Sequence, residues 1–256
     1  MAYAKTYVYN SALTPEQNTL CAHLYSMKVS VMADALALQF SEPNNDLLTF
    51  EERVRNIIDS EWSLRDSRKF NKVLKNADLK YPLADFDSSI YDADRQLDTT
   101  TIERLQTCGF IDEKRNLLIS GKTGAGKTYL GCAICVAACH QYRTVKYKRA
   151  SRLIEEFDRV RAQDGYLAFL DELISYDLLV IDDFGLMPLD LDRCRDLFEL
   201  IESREGFKST MILSQVPFDN WYDLFGEKTY ADACMRRIFS KAYRLDMNGR
   251  DMSQGI

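Results

Sequence analysis

The most informative part of the sequence is Gly121-Lys122-Thr123-Gly124-Ala125-Gly126-Lys127-Thr128. It matches the pattern Gly-x-x-x-x-Gly-Lys-Ser/Thr, in which the backbone amides of a glycine-rich turn surround phosphate oxygens. The apolar run NLLIS (116–120) precedes it and a helical run follows, which is the strand, loop and helix context that the motif requires. The sequence therefore predicts a phosphate-binding loop at 121–128. We expect the nucleotide to contact Gly121, Thr123, Gly124, Ala125, Gly126, Lys127, Thr128 and Tyr129.

Further along the chain, two strand-like runs end in polar side chains that suit phosphate chemistry. The apolar run LLVI (178–181) ends in Asp182 and Asp183. We expect Lys127 to reach the terminal phosphates, and Thr128 and Asp182 to hold Mg²⁺. Asp183 is then the group that polarises the attacking water. Gln215 follows the run TMILS (210–214), and we expect it to orient that water or to respond to hydrolysis.

The order of the predicted elements indicates an α/β fold after a helical amino-terminal part. Five strand-like runs begin at residues 116, 144, 177, 210 and 243, with helical stretches between them. Such alternation predicts a five-stranded parallel sheet covered by helices. Capping boxes at Thr14 and Thr49 predict helices over 14–39 and 49–77, and the polar stretch 83–100 reads as a linker. We therefore predict a small all-α domain at 1–82 and an ATPase domain at 83–256.

The charge pattern restricts any contact with nucleic acid to local patches, because the whole chain of 256 residues carries a net charge of −6. Two basic groups stand out. The first follows one helical face, and the second spans a strand and the next helix start. Each is either a solvated surface or a set of DNA phosphate contacts. The candidates are Arg65, Arg68, Lys69, Lys72 and Lys75 in the first group and Lys148, Arg149 and Arg152 in the second.

The cysteines and the hydropathy pattern point to a reducing cytoplasm. The seven cysteines are an odd number and are scattered, which does not suit a disulfide framework. Cys132, Cys135 and Cys139 share one helical face, and we interpret them as buried apolar side chains rather than as metal ligands. The sequence has no apolar run of membrane-spanning length and no export signal at its start.

With these motifs in place, the chain resembles the IstB family of AAA+ helper ATPases of insertion sequences, which are relatives of the DnaC helicase loaders. The resemblance covers nearly the whole chain, and its more specific parts are stretches beyond the generic nucleotide motifs. They are YKRASRLIEEF (147–157), LLVIDDFGLMPL (178–189), SQVPFDNWYDLFGE (214–227), ADACMRRIFSKAYRL (231–245), EERVRNIIDSEW (51–62) and RKFNKVLKNADLKYP (68–82).

The resemblance implies an ATP- and Mg²⁺-dependent homo-oligomer on duplex DNA, with no membrane role. Such a protein bends target DNA and delivers it to a partner transposase of the IstA type. By motif position Gln215 looks like sensor 1, and Arg237 looks like the arginine finger that completes hydrolysis at a subunit interface. Arg236 stands where the family usually has an acid, so either arginine of the pair fits the role, and Lys122 replaces the usual proline. The family has no carboxyl-terminal lid, and we expect none here.

The sequence leaves two other functions open. The first is a helicase loader of the DnaC type, which would prefer single-stranded DNA. The second is an ATPase without a DNA role.

Overall fold

A parallel five-stranded sheet forms the centre of the larger part of the chain in the computed structural model, which describes residues 6–42, 47–87 and 99–247. The strands are β1 (Leu117–Gly121), β2 (Val145–Arg149), β3 (Leu178–Phe184), β4 (Ser209–Ser214) and β5 (Tyr243–Met247). Their order in the sheet is β2-β3-β4-β1-β5, and every neighbouring pair is parallel. The predicted five-stranded parallel sheet is confirmed.

Helices connect the strands, as parallel pairing requires. Those between strands are α6 (Lys127–His140), α7 (Ala150–Arg161), α8 (Tyr166–Ser175), α9 (Leu191–Arg204) and α10 (Lys228–Phe239), with two short 3-10 helices at Phe218–Asn220 and Tyr222–Leu224. Two further helices, α4 (Thr99–Gln106) and α5 (Gly109–Asp112), precede β1. β1 and β4 are buried along their whole length, and β3 is buried at all but one position. Because parallel strands share one direction, their carboxyl ends meet at one edge, and this edge collects the predicted site residues.

The amino-terminal region is helical, but one predicted helix is wrong. The structure has α1 (Pro15–Ser26), α2 (Ser30–Ser41) and α3 (Phe50–Ala77), whereas the sequence predicted a single helix over 14–39. The chain reverses at Lys28, whose φ is 63°. The reversal lets Cys21 pack against Ala33 in a small buried cluster with Leu13, which a continuous helix would hold apart. Both predicted capping boxes are present, at Thr14 and Thr49.

The chain divides by compactness into the units Met1–Asn71 and Lys72–Ile256. The division falls within α3, whereas we placed the domain boundary after residue 82 on the basis of sequence, and that functional boundary stays a prediction. Most of the predicted linker, residues 88–98, lies outside the described residues.

The cysteines lie in the core. All seven are free and buried, and Cys132, Cys135 and Cys139 have no exposed surface on α6. Burial raises the pKa of the Cys139 thiol to about 12, so this side chain behaves as a small apolar group. No helix among the described residues combines the length and the apolar character needed to cross a membrane.

Candidate nucleotide site

The phosphate-binding loop joins β1 to α6 in the predicted strand, loop and helix arrangement. Gly124 and Gly126 have φ values of 81° and 82°, in the left-handed region that glycine adopts without steric cost. Gly126 is also the residue before α6 begins at Lys127. The first amides of a helix have no partner within the helix, so this loop offers backbone donors and the positive end of a helix to an anion.

Lys127 lies across the loop. Its ammonium nitrogen donates to the carbonyl oxygen of Gly121 at 2.7 Å and to that of Lys122 at 2.8 Å. Burial lowers the pKa of Lys127, and the nearby Asp182 and Asp183 act in the opposite direction. The loop backbone therefore orients this charge before any phosphate arrives. Lys122 takes part in this contact through its backbone carbonyl. The proline that the family usually has at this position would offer the same carbonyl.

Thr128 and Asp182 come together although 54 residues separate them in the sequence. The Thr128 hydroxyl donates to Oδ2 of Asp182 at 2.9 Å, and Asp182 is only 2% exposed. A hydroxyl beside a carboxylate is an oxygen donor set of the kind that Mg²⁺ prefers when phosphate oxygens complete its shell. The residues predicted to bind the metal thus fit it chemically and lie together.

A residue without a predicted role completes the surroundings of Asp182. Tyr147, on β2, donates its hydroxyl to Oδ2 of Asp182 at 2.6 Å, and the amide of Asp183 donates to Oδ1 at 2.8 Å. Burial, followed by the hydrogen bond to Asp182, raises the pKa of Tyr147 above its ordinary value. The signal in the sequence is a tyrosine at an inward position of TVKYK, in the strand beside the one that ends in aspartate.

Asp183 is bound by an arginine that the sequence assigned to DNA. Arg149 donates from Nε at 2.9 Å and from Nη2 at 2.7 Å to Oδ2 of Asp183. The register pairs Arg149 with Asp182 across β2 and β3, and the next residue, Asp183, has a φ of 57° where β3 becomes irregular. The structure therefore joins one predicted catalytic residue and one predicted DNA contact in a single ion pair.

Gln215 lies against the phosphate-binding loop. The hydroxyl of Thr123 donates to Oε1 of Gln215 at 2.5 Å. β4 lies between β3 and β1, so the end of β4 falls between the carboxylates and the loop. Its role in sensing or orienting water stays a prediction.

The arginine pair on α10 does not join this cluster within one subunit. Arg237 donates to Oε1 of Glu202 at 2.6 Å and to the carbonyl of Ala233 at 3.1 Å, and its guanidinium lies 4.7 Å from the ring centre of Phe198. Arg236 is exposed. Arg237 is thus held on its own subunit by α9 and α10, and the choice between the two arginines as the finger stays open.

The first basic group is only partly available to a ligand. Arg65 donates to Glu61 at 2.7 Å and to the carbonyl of Lys28 at 2.8 Å. Glu61 also accepts from the amides of Val31 and Met32 at the start of α2, so Arg65 and Glu61 join α3 to α2 and to the turn that precedes it. The group's other members, also predicted to bind DNA, are exposed on α3: Arg68, Lys69, Lys72 and Lys75. Within the described ranges, Arg68, Lys72 and Lys75 have no ion-pair partner.

The second basic group has an acid beside each predicted contact. Lys148 pairs with Glu156 at 2.5 Å, Arg152 pairs with Glu155 at 2.8 Å, and Arg149 pairs with Asp183 as described above. These acids come from α7 and β3, so a count of charges along residues 148–152 does not show them. A role in DNA binding stays a prediction for this group.

The model of the family described as IstB-like ATP binding protein matches residues 22–254. The chain belongs to the IstB family. Two of its relatives are named as ATP-binding proteins of insertion sequences. The insertion sequence ATP-binding protein y4pL of Sinorhizobium fredii is 34% identical over 229 residues, which covers 90% of this chain and 93% of that protein. The ATP-binding protein of insertion sequence IS1162 from Pseudomonas fluorescens is also 34% identical, over 78% of this chain and 87% of its own length.

Solved structures place this IstB-family chain in the AAA+ P-loop fold. The DnaC helicase loader superposes with a TM-score of 0.56 at 19% identity, over 64% of this chain and 97% of the loader. The replication initiator DnaA, solved with AMPPCP and single-stranded DNA, gives a TM-score of 0.55 at 16% identity, over 65% of this chain and 50% of DnaA. At these identities the likeness shows the shared fold.

Proposed function

We propose that this IstB-family chain is a Mg²⁺-dependent ATPase that assembles as a homo-oligomer on duplex DNA, bends it and presents it to a partner transposase. The observation that carries the proposal is the contact of Thr128 with Asp182 beside the phosphate-binding loop, because it joins both halves of a nucleotide site. The names of the relatives support the link to insertion sequences.

Each residue of the site has a defined part in hydrolysis. Lys127 balances the charge of the terminal phosphates, and Thr128 and Asp182 hold the metal, which when bound neutralises phosphate charge. Asp183 accepts a hydrogen bond from the attacking water once its carboxylate is oriented towards it. Gln215 lies at the loop through Thr123 and orients that water.

In the part of the chain that the structure describes, Arg149 is paired with Asp183, Arg237 is held by Glu202 and Arg236 is exposed on α10. A neighbouring subunit's α10 supplies an arginine to the phosphates in our proposal, so hydrolysis depends on assembly. Arg237 must then leave Glu202, or Arg236 must act in its place.

Nucleotide binding and hydrolysis test the enzymatic part. We expect Lys127→Ala to lose ATP binding and all DNA-stimulated hydrolysis. Lys114→Ala, which removes an exposed lysine between α5 and β1, is the control and should behave like the unmodified protein. Hydrolysis by Lys127→Ala at the rate of the control would refute the assignment of the site.

The DNA preference separates this proposal from a helicase loader. The fold shared with DnaC does not decide between them. We expect tighter binding to duplex DNA than to a single strand of the same length at equal salt. A preference for the single strand would favour the loader, and binding to neither would indicate an ATPase without a DNA role.

A further inference from the structure

We propose that Tyr147 is a positioning residue for the metal: its hydroxyl fixes the carboxylate of Asp182 so that this group and Thr128 face one Mg²⁺ position. The proposal rests on the proposed function, in that it takes the bound nucleotide to be Mg²⁺-ATP.

The hydrogen bonds around Asp182 show how the carboxylate is held. Oδ1 accepts from the amide of Asp183, which restrains one oxygen, and Oδ2 accepts from both Thr128 and Tyr147. Thr128 is itself an expected metal ligand, so its hydroxyl would contact both the metal and Asp182. Tyr147 is not an expected metal ligand, and its 2.6 Å bond to Asp182 is shorter than the 2.9 Å bond from Thr128. Tyr147 is therefore the side chain that keeps Oδ2 in place.

The position of Tyr147 in the sheet suits this task. Its neighbour across the sheet is Val180 on β3, two residues before Asp182, so the two side chains project from the same face. Tyr147 is 7% exposed, and a buried hydroxyl carries a desolvation cost unless it has a partner. Phenylalanine would fill the same space without that cost. The hydroxyl thus points to a role for the contact with Asp182 rather than to packing alone.

Tyr147→Phe tests the proposal, with Tyr166→Phe as the matched control. Tyr166 also donates its hydroxyl to a carboxylate, that of Glu199, at 2.7 Å, between α8 and α9. A fluorescent, non-hydrolysable ATP analogue would be bound to each full-length protein, and Mg²⁺ would be titrated. We expect the Mg²⁺ half-saturation point of Tyr147→Phe to rise about tenfold, as for other groups that orient metal ligands. Binding of the analogue in EDTA should remain within about twofold of the unmodified protein, since the loop is intact.

The same titration distinguishes a failure of the proposed function from a failure of the role of Tyr147. If binding to the unmodified protein does not respond to Mg²⁺, the proposed function fails. If it responds, and Tyr147→Phe keeps the same half-saturation point, only the role of Tyr147 is overturned. If Tyr147→Phe is too unstable in plain buffer, sucrose in every sample favours the folded state and preserves the comparison.

A double-mutant cycle identifies the route of the effect. If Tyr147 acts through Asp182, Tyr147→Phe should cause no further change in the Mg²⁺ response of Asp182→Asn. An additional tenfold change in that background would show that Tyr147 acts through another group and would overturn the proposal.

Discussion

Three exposed cations on the carboxyl-terminal half of α3 provide a quantitative test of DNA binding. Arg68, Lys72 and Lys75 lie four and three residues apart, so they share one side of the helix, and each is exposed without an ion-pair partner among the described residues. The perturbation is the triple variant Arg68→Gln/Lys72→Gln/Lys75→Gln. Arg65 is left unchanged because it binds Glu61 and the carbonyl of Lys28, in the turn between α1 and α2.

The magnitude follows from counterion release. Each phosphate that a cation neutralises on duplex DNA contributes about −0.9 to the slope of log affinity against log salt. If all three cations contact phosphates, the slope of the triple variant should be less negative than that of the unmodified protein by about 2.7. Between 50 and 200 mM salt the unmodified protein should then lose about 40-fold more affinity than the variant does.

The assay is fluorescence anisotropy on a duplex at several salt concentrations, with ATP analogue present throughout. The comparison variant is Lys148→Gln/Arg152→Gln, whose lysine and arginine already pair with Glu156 and Glu155. We expect its salt slope to change by less than about 1, since each of these cations would have to break an ion pair before it could contact a phosphate. An unchanged slope in the triple variant would refute the assignment of DNA contact to α3, whereas a larger change in the comparison variant would assign DNA contact to the second basic group.

Three further predictions concern the site and the stability of the sheet. Thr128→Val should bind ATP normally in EDTA but lose the response to Mg²⁺, as measured by calorimetry with and without the metal, whereas an unchanged response would exclude Thr128 as a ligand. Burial alone would raise the pKa of Asp177, but hydrogen bonds from Lys208 and Thr144 outweigh it and hold the pKa at about 2, below the ordinary 3.8. This stabilisation, about 2 kcal/mol, is full above pH 4 and is lost as the pH falls towards 2, so urea unfolding of Asp177→Asn should vary less with pH over that window. Arg204 is buried and donates to carbonyls at the end of α8 and the start of β4, so Arg204→Met should lower the free energy of unfolding by about 3 kcal/mol or more, and a loss below about 0.5 kcal/mol would contradict this account.

The sequence was sufficient for the parts of the fold that short patterns encode. The phosphate-binding loop has a fixed spacing, and each predicted strand is a short run of either continuous apolar or alternating residues, so β1 to β5 begin within one residue of their predicted starts. Parallel pairing then brings the strand ends together, which is why Asp182 and Gln215 could be placed at one site. Strand β3 continues to Phe184, three residues beyond the prediction, because the aspartates lie within an irregular strand end.

The sequence did not show interactions that depend on side chains from different elements. Arg149 looked like a DNA contact because its acid, Asp183, lies 34 residues further on. Tyr147 carried no motif, and its bond to Asp182 depends on the register of β2 against β3. The reversal at Lys28 was missed because helical spacing continues on both sides of it, and packing between α1 and α2 decides the break. Trp221 belongs to a family motif, and the structure shows it buried, with its indole donating to Val216.

The control of assembly by ATP can be tested by measuring the mass of the complex on DNA. Mass photometry of the full chain on a short duplex would count subunits with ATP, without nucleotide, and for Lys127→Ala with ATP. We predict several subunits per duplex with ATP for the unmodified protein, and no such assembly in the other two samples. Assembly of equal size without nucleotide, or by Lys127→Ala, would contradict the claim that ATP binding at the phosphate-binding loop controls assembly on DNA.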